Sequence, residues 1–144
     1  MNNQNFQRTM ELTASPEDVF KRISQVDLWW AKNFKGKAQV LGDTFSVHFG
    51  DTYVDFQVSE SVPNKKVVWK VTDCNLHWID NKKEWKNTEI VFDIMAKGAI
   101  AQLHFTHVGL VPSVECYSNC EVGWNQHVTV SLAELIQKGV GQPK

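Results

Sequence analysis

Apolar and polar residues alternate from Phe6 to Thr13, which predicts a strand with Phe6, Arg8, Met10 and Leu12 on its buried face. Arg8 must then lie at the strand end or snorkel to water. The pattern changes at Ser15-Pro16-Glu17-Asp18. A serine cap, a first-turn proline and two acids predict a helix whose apolar face is Val19, Phe20 and Ile23, ending near Ser24. Asp27-Leu28-Trp29-Trp30-Ala31 predicts a second short helix or turn. Period-two alternation returns in five segments: Thr44–Phe49, Thr52–Val62, Lys66–Thr72, Thr88–Met95 and Ile100–Val108. Gly50-Asp51, Pro63-Asn64-Lys65 and Lys97-Gly98 supply turns between them. Residues 73–87 are polar and irregular apart from Leu76, Trp78, Ile79 and Trp85. From about Val114 to Gly139 the period becomes helical, with Trp124, Val128, Ser131, Leu132, Leu135 and Ile136 on one stripe.

The order is strand, two short helices, five strands, long helix. Consecutive hairpins make an antiparallel sheet, and only the terminal helix is long enough to cover its apolar face. The expected fold class is α+β, a single domain over residues 1–144. A curved six-stranded antiparallel sheet wraps a long C-terminal helix, with two short helices after the first strand. A small ligand would sit between sheet and helix.

Bulk properties narrow the function. The net charge is −1, with fifteen basic and sixteen acidic residues, which gives no electrostatic footprint for nucleic acid or an anionic membrane. No apolar run approaches the roughly 20 residues of a membrane span. Met1-Asn2-Asn3-Gln4-Asn5 is polar, so the expected location is the cytoplasm. Three cysteines without a CxxC predict reduced thiols rather than a disulfide framework. Six tryptophans are many for 144 residues; such rings fill cores and also line cavities for apolar ligands.

Six fragments in order carry a family resemblance. They are Thr13-Ala14-Ser15-Pro16-Glu17-Asp18-Val19-Phe20; Leu41-Gly42-Asp43-Thr44-Phe45, with Asp43 in place of a usual glycine; Val62-Pro63-Asn64-Lys65-Lys66-Val67-Val68-Trp69; Leu103-His104-Phe105-Thr106-His107-Val108-Gly109-Leu110; Gly123-Trp124; and Ser131-Leu132. Together they resemble the SRPBCC, or START-like, superfamily, in its branch of Hsp90 ATPase activator homologues. The resemblance implies the helix-grip fold and a cavity whose mouth lies at the short helices. It does not choose among carriers of hydrophobic molecules, polyketide cyclases, hydroxylase domains and chaperone activators.

The expected cavity liners are Phe45, Val47, Phe56, Trp69, Phe92, Phe105, His107, Trp124 and Val128, with Trp29 or Trp30 at the mouth. Two adjacent tryptophans on a helix cannot both face inward, so one should be exposed or contact a partner. His107 is either a ligand contact or proton-transfer group, or a neutral histidine bonded to the nearby turn or helix. Trp124 is a pocket wall or a core plug. Trp78 and Trp85 are open to roles as a lid, a hairpin extension or a dimer contact. Cys116 and Cys120, four apart, could join a histidine at a metal or redox site, but the spacing alone does not specify one. Glu60 and Glu89 are better placed in solvent than as an acid–base pair. No GxSxG, P-loop, Rossmann or HExxH pattern occurs, so no cofactor and no metal are expected. The leading expectation is binding of a small hydrophobic molecule. The rivals are a chaperone-interaction module and a cyclase or hydrolase, and a homodimer is left open.

Overall fold

The computed structural model describes residues 4–144; the polar N-terminal run of the sequence falls partly outside them, at residues 1–3. The chain forms strand β1 (Phe6–Leu12), helices α1 (Pro16–Ile23) and α2 (Val26–Trp29), then strands β2 (Phe34–Gly36), β3 (Thr44–Phe49), β4 (Thr52–Val62), β5 (Lys66–Asn75), β6 (Glu89–Lys97) and β7 (Ile100–Val108). A C-terminal helix closes it in three continuous parts: α3 (Tyr117–Trp124), a π-helical segment (Asn125–Leu132) and α4 (Ala133–Lys138). All strand pairs are antiparallel, in the order β1-β7-β6-β5-β4-β3-β2.

The start of α1 is capped as its residues require. Ser15 accepts from the Asp18 backbone N–H at 3.1 Å, Pro16 opens the helix, and Glu17 and Asp18 fill its first turn. Among the described residues the sheet has seven strands rather than the six expected. The additional strand, β2, is three residues of Phe-Lys-Gly paired with Phe45–Val47, too short to show any alternation. β5 runs on to Asn75, where its partner Tyr53 extends the ladder beyond the regular apolar pattern. Register shifts in β4 at Asp55/Phe56 and Val58/Glu60 add twist and curl the sheet toward the helix. The second shift turns Glu60 outward, where it pairs with Lys66 at 3.6 Å.

The C-terminal helix begins at Tyr117, three residues later than the expected Val114, and presents the expected stripe. Trp124, Val128, Ser131, Leu132, Leu135 and Ile136 are all buried. Its middle widens into π turns over Asn125–Leu132. The Thr129 hydroxyl donates to the carbonyl of Asn125, competing for the acceptor an α turn would use.

Both Trp29 and Trp30 are buried, at 0% and 3% exposure, so the expected exposed ring is not found. That expectation assumed a helix with one free face. Instead α2 is a single turn wedged between the two layers: Trp29 meets Trp69 and Phe92 of the sheet, and Trp30 meets Trp124 and His127 of the C-terminal helix. Ser131 donates to the Trp29 carbonyl at 2.6 Å and ties α2 to that helix. The tail then folds back over α2, with Lys144 N–H donating to the Trp30 carbonyl at 2.9 Å. At Gly141 an added Cβ would lie 2.3 Å from the Leu28 carbonyl oxygen, so only glycine permits this approach.

The expected reduced state of the cysteines also needs correction. Cys116 and Cys120 are disulfide-bonded, while Cys74 is free and buried. Four residues apart at the helix start, their Cα atoms lie 5.6 Å apart, inside the range a disulfide spans.

Candidate functional site

Most of the space between sheet and helix is filled. Trp29, Trp30 and Trp69 stack with centroids 5.9–6.4 Å apart, and Phe92 meets both Trp29 and Trp69 edge-on. Phe105 packs on Phe6, Phe92 and Trp124. Large rings in offset and edge arrangements fill volume efficiently and leave no room for a guest.

His107 lies inside this packing with no exposure, on β7 as the alternation requires. Its Nδ1 accepts from the Trp124 indole N–H at 3.0 Å. That contact assigns the proton to Nε2, which donates to the Thr88 hydroxyl at 2.9 Å, and Thr88 donates onward to the Trp85 carbonyl at 2.6 Å. Every side-chain polar atom in this relay has its partner. Burial pushes the imidazole pKa down to about 3, so it is neutral at pH 7.

The packing gives way at one end. There a pocket of about 140 Å³ is lined by Trp30, Phe49, Thr52, Val54, Leu76, Trp78, Trp85, Asn119, Cys120, Gly123, Trp124 and His127. Its parts come from four places: the end of α2, the β3–β4 hairpin, the 76–85 loop and the first half of the C-terminal helix. Trp85 stacks on Trp124 at 5.6 Å and meets His107 edge-on at 4.7 Å. Trp78 stands apart on the outer side, 46% exposed. Gly123 leaves the helical wall bare, since a Cβ there would meet nothing within 4 Å.

His127 behaves unlike His107. It lines the pocket beside the Trp30 and Phe49 rings, yet no hydrogen bond reaches it and its Nδ1 is buried without a partner among the described residues. Burial first, and the Lys144 charge second, push its pKa down to about 4. It too is a neutral imidazole at pH 7.

Two carboxylates clasp the loop that carries Leu76, Trp78 and Trp85. Glu84 accepts from the backbone N–H groups of Glu115 and Cys116, at 2.8 and 2.9 Å, which lie just before α3. In return Glu115 accepts from Asn81 and Asp80 N–H at 3.0 and 2.8 Å, and these bonds hold its carboxyl below the usual range. The Trp85 indole N–H points at Cys116 Sγ, 3.2 Å away.

Of the residues expected to line a cavity, the structure brings Trp30 and Trp124 to this pocket. Trp29, Val47, Trp69, Phe92, Phe105, His107 and Val128 lie in the closed core, and so do the rings of Phe45 and Phe56, stacked at 4.9 Å. Sequence reasoning left Trp78 and Trp85 unassigned and gave His127 no role in the pocket. Two large rings in a polar stretch signalled that the loop must pack somewhere, and His127 stands three residues after Trp124 on the same helix. Among the described residues no cluster of His, Cys, Asp and Glu is fit to hold a metal ion, and no helix is long and apolar enough to cross a membrane.

No protein-family model matches the chain, and no curated protein is significantly similar to it in sequence. Solved structures are similar in fold. The Aha1 dimer from Colwellia psychrerythraea is 25% identical, with a TM-score of 0.78 over 96% of this chain and 99% of that one. DynU16, a protein of the dynemicin biosynthetic locus, is 14% identical with a TM-score of 0.71, over 94% of this chain and 48% of that one. CalU16 from Micromonospora echinospora is 14% identical with a TM-score of 0.67, over 94% and 75%. The architecture is thus the helix-grip fold. More narrowly, it is the SRPBCC, Aha1-like form of that fold.

Proposed function

We propose that the protein binds a small hydrophobic molecule, about the size of one aromatic ring, in the pocket between the 76–85 loop and the C-terminal helix. The observation that carries this reading is the aromatic pocket of about 140 Å³ left open beside an otherwise filled core. An apolar cavity of about 150 Å³ stays dry and takes up benzene. Burial of the ring would supply most of the affinity, at about 25 cal/mol per Å². Four tryptophans in the wall make binding visible, so titration with toluene should give a saturable change in indole fluorescence. Absence of saturation up to the solubility limit, with no shifts in the amide spectrum at Gly123, would refute it.

The expected liners in the closed core, from Phe45 to Val128, would then act as the rigid floor of the site rather than as contacts. A second reading, an interaction module for an Hsp90-type chaperone, draws support from the likeness to Aha1. The Colwellia Aha1 is a dimer, which makes a homodimer of this chain worth testing by sedimentation. A cyclase or hydrolase needs two convergent acid–base groups, and His127 is the one titratable side chain among the described pocket liners. A cytoplasmic location is retained as part of this proposal and is open to test by fractionation of the host cell.

A further inference from the structure

Two buried side-chain nitrogens have no hydrogen-bond partner among the described residues: Trp69 Nε1 and His127 Nδ1. Trp69 is sealed in the ring stack of the core, where no ligand reaches. His127 lines the pocket; among the described residues its buried Nδ1 has no partner and its Nε2 makes no hydrogen bond, which leaves Nε2 as the nitrogen open to a guest. A neutral imidazole has one N–H to place. On Nδ1 it would be a buried donor with no acceptor, which carries the full desolvation cost of that group. On Nε2 it remains available to an incoming group.

We infer that the ligand of this pocket is an uncharged, one-ring molecule carrying a hydrogen-bond acceptor, and that His127 receives the acceptor through Nε2–H. This rests on the proposed function, because it names the chemistry of the guest in the same pocket. The walls argue for a neutral guest. Among the described residues no lysine, arginine or carboxylate lines the pocket, so a buried carboxylate or ammonium would lack a counter-charge. The aromatic faces could attract a cation, but the Lys144 charge acts on His127 in the same sense as an added cation would, and no carboxylate lines the pocket among the described residues to balance one. An aryl carbonyl or aryl ether meets all of these conditions: its ring fits the apolar walls and its oxygen accepts one hydrogen bond. A hydrogen bond that buried groups depend on discriminates more sharply than a methylene does.

The test compares probes of matched size at pH 7.5 by calorimetry: acetophenone, ethylbenzene, benzoate and benzylammonium. Acetophenone should bind about three- to tenfold more tightly than ethylbenzene, the effect of one net hydrogen bond. Benzoate and benzylammonium should bind at least about tenfold more weakly than acetophenone. In His127→Phe the preference for acetophenone over ethylbenzene should fall to near one, while His127→Gln, which keeps an N–H donor, should retain part of it. A readout independent of any variant is the ¹⁵N spectrum of His127, which should show the proton on Nε2 and shift with acetophenone but little with ethylbenzene. Equal binding of the two neutral probes, an unchanged preference in His127→Phe, or tightest binding of benzylammonium would each overturn this inference while leaving the pocket as a binding site. Failure of both neutral probes to bind would overturn the proposed function itself.

Discussion

Two neutral histidines lie between sheet and helix, His107 fully buried and His127 partly exposed, and their hydrogen bonding differs. At the His107 end both ring nitrogens are engaged, by Trp124 and Thr88, and the chain of bonds ends on a backbone carbonyl. At the His127 end neither nitrogen has a partner among the described residues. Trp85 and Trp124 meet His107 edge-on at 4.7 and 5.9 Å; Trp30 and Phe49 flank His127 at 6.1 and 6.3 Å, and the pocket opens beside them. A satisfied buried histidine belongs to the architecture, because its desolvation is offset by the bonds it makes. An unsatisfied one beside a cavity marks where the folded chain is incomplete by itself.

This contrast is open to attack by mutation. Trp124→Ala removes the plug that both ends share and should lower unfolding stability by about 3–5 kcal/mol in urea titrations. His107→Phe should cost about 1–3 kcal/mol, since the Trp124 N–H and Thr88 hydroxyl lose their partner. His127→Phe removes an orphan and should leave stability unchanged or raised by less than about 1 kcal/mol. Equal losses at the two histidines would erase the distinction between them.

Acid tests both ends together. The unfolded imidazoles titrate near 6.5, whereas the folded ones are pushed down to about 3 for His107 and about 4 for His127. Between these values the unfolded chain binds protons that the folded chain refuses. Stability is therefore complete above pH 6.5 and falls as pH drops from 6.5 toward 4 and then 3. Each histidine contributes a slope approaching about 1.4 kcal/mol per pH unit. Chemical denaturation at a series of pH values should show this decline, and His127→Phe should reduce the slope above about pH 4.

Gly123→Ala sharpens the contrast further. Ala should stabilise α3 by about 0.5–1 kcal/mol, since glycine inside a helix is unfavourable and nothing obstructs the added methyl. The same methyl enters the pocket and should weaken toluene binding. The smallest expected effect concerns the clasp. Glu84→Gln and Glu115→Gln should speed amide exchange at Asp80, Asn81 and Cys116 while leaving exchange around His107 unchanged.

Much of the fold was legible in the residues. The cap at Ser15, the alternating strands and the helical stripe from Trp124 to Ile136 each follow from local periodicity, and each appears in the structure. Reading β2 was beyond periodicity, because three residues hold no period. The burial of both Trp29 and Trp30 was equally beyond it, since a single helical turn sets no face of its own and takes its surroundings from the layers on either side. The site was less legible than the fold. The helical pattern turns Trp124 toward the sheet and the family resemblance puts Trp29 or Trp30 near a cavity mouth, but Trp78, Trp85 and His127 lie beside the pocket through a loop course and a π-helical turn that no local pattern specifies.

By itself the sequence determined which residues avoid water and with what period, hence the curled sheet, the long helix and the aromatic floor between them. The tertiary structure alone decided which polar atoms distant in sequence find partners. Thr88, His107 and Trp124 lie far apart along the chain, as do Glu84 and Cys116, and hydrogen bonds act only over about 3 Å. Periodicity sets which way a side chain faces; only the folded distances fix what it touches, and so which histidine is finished and which is left waiting.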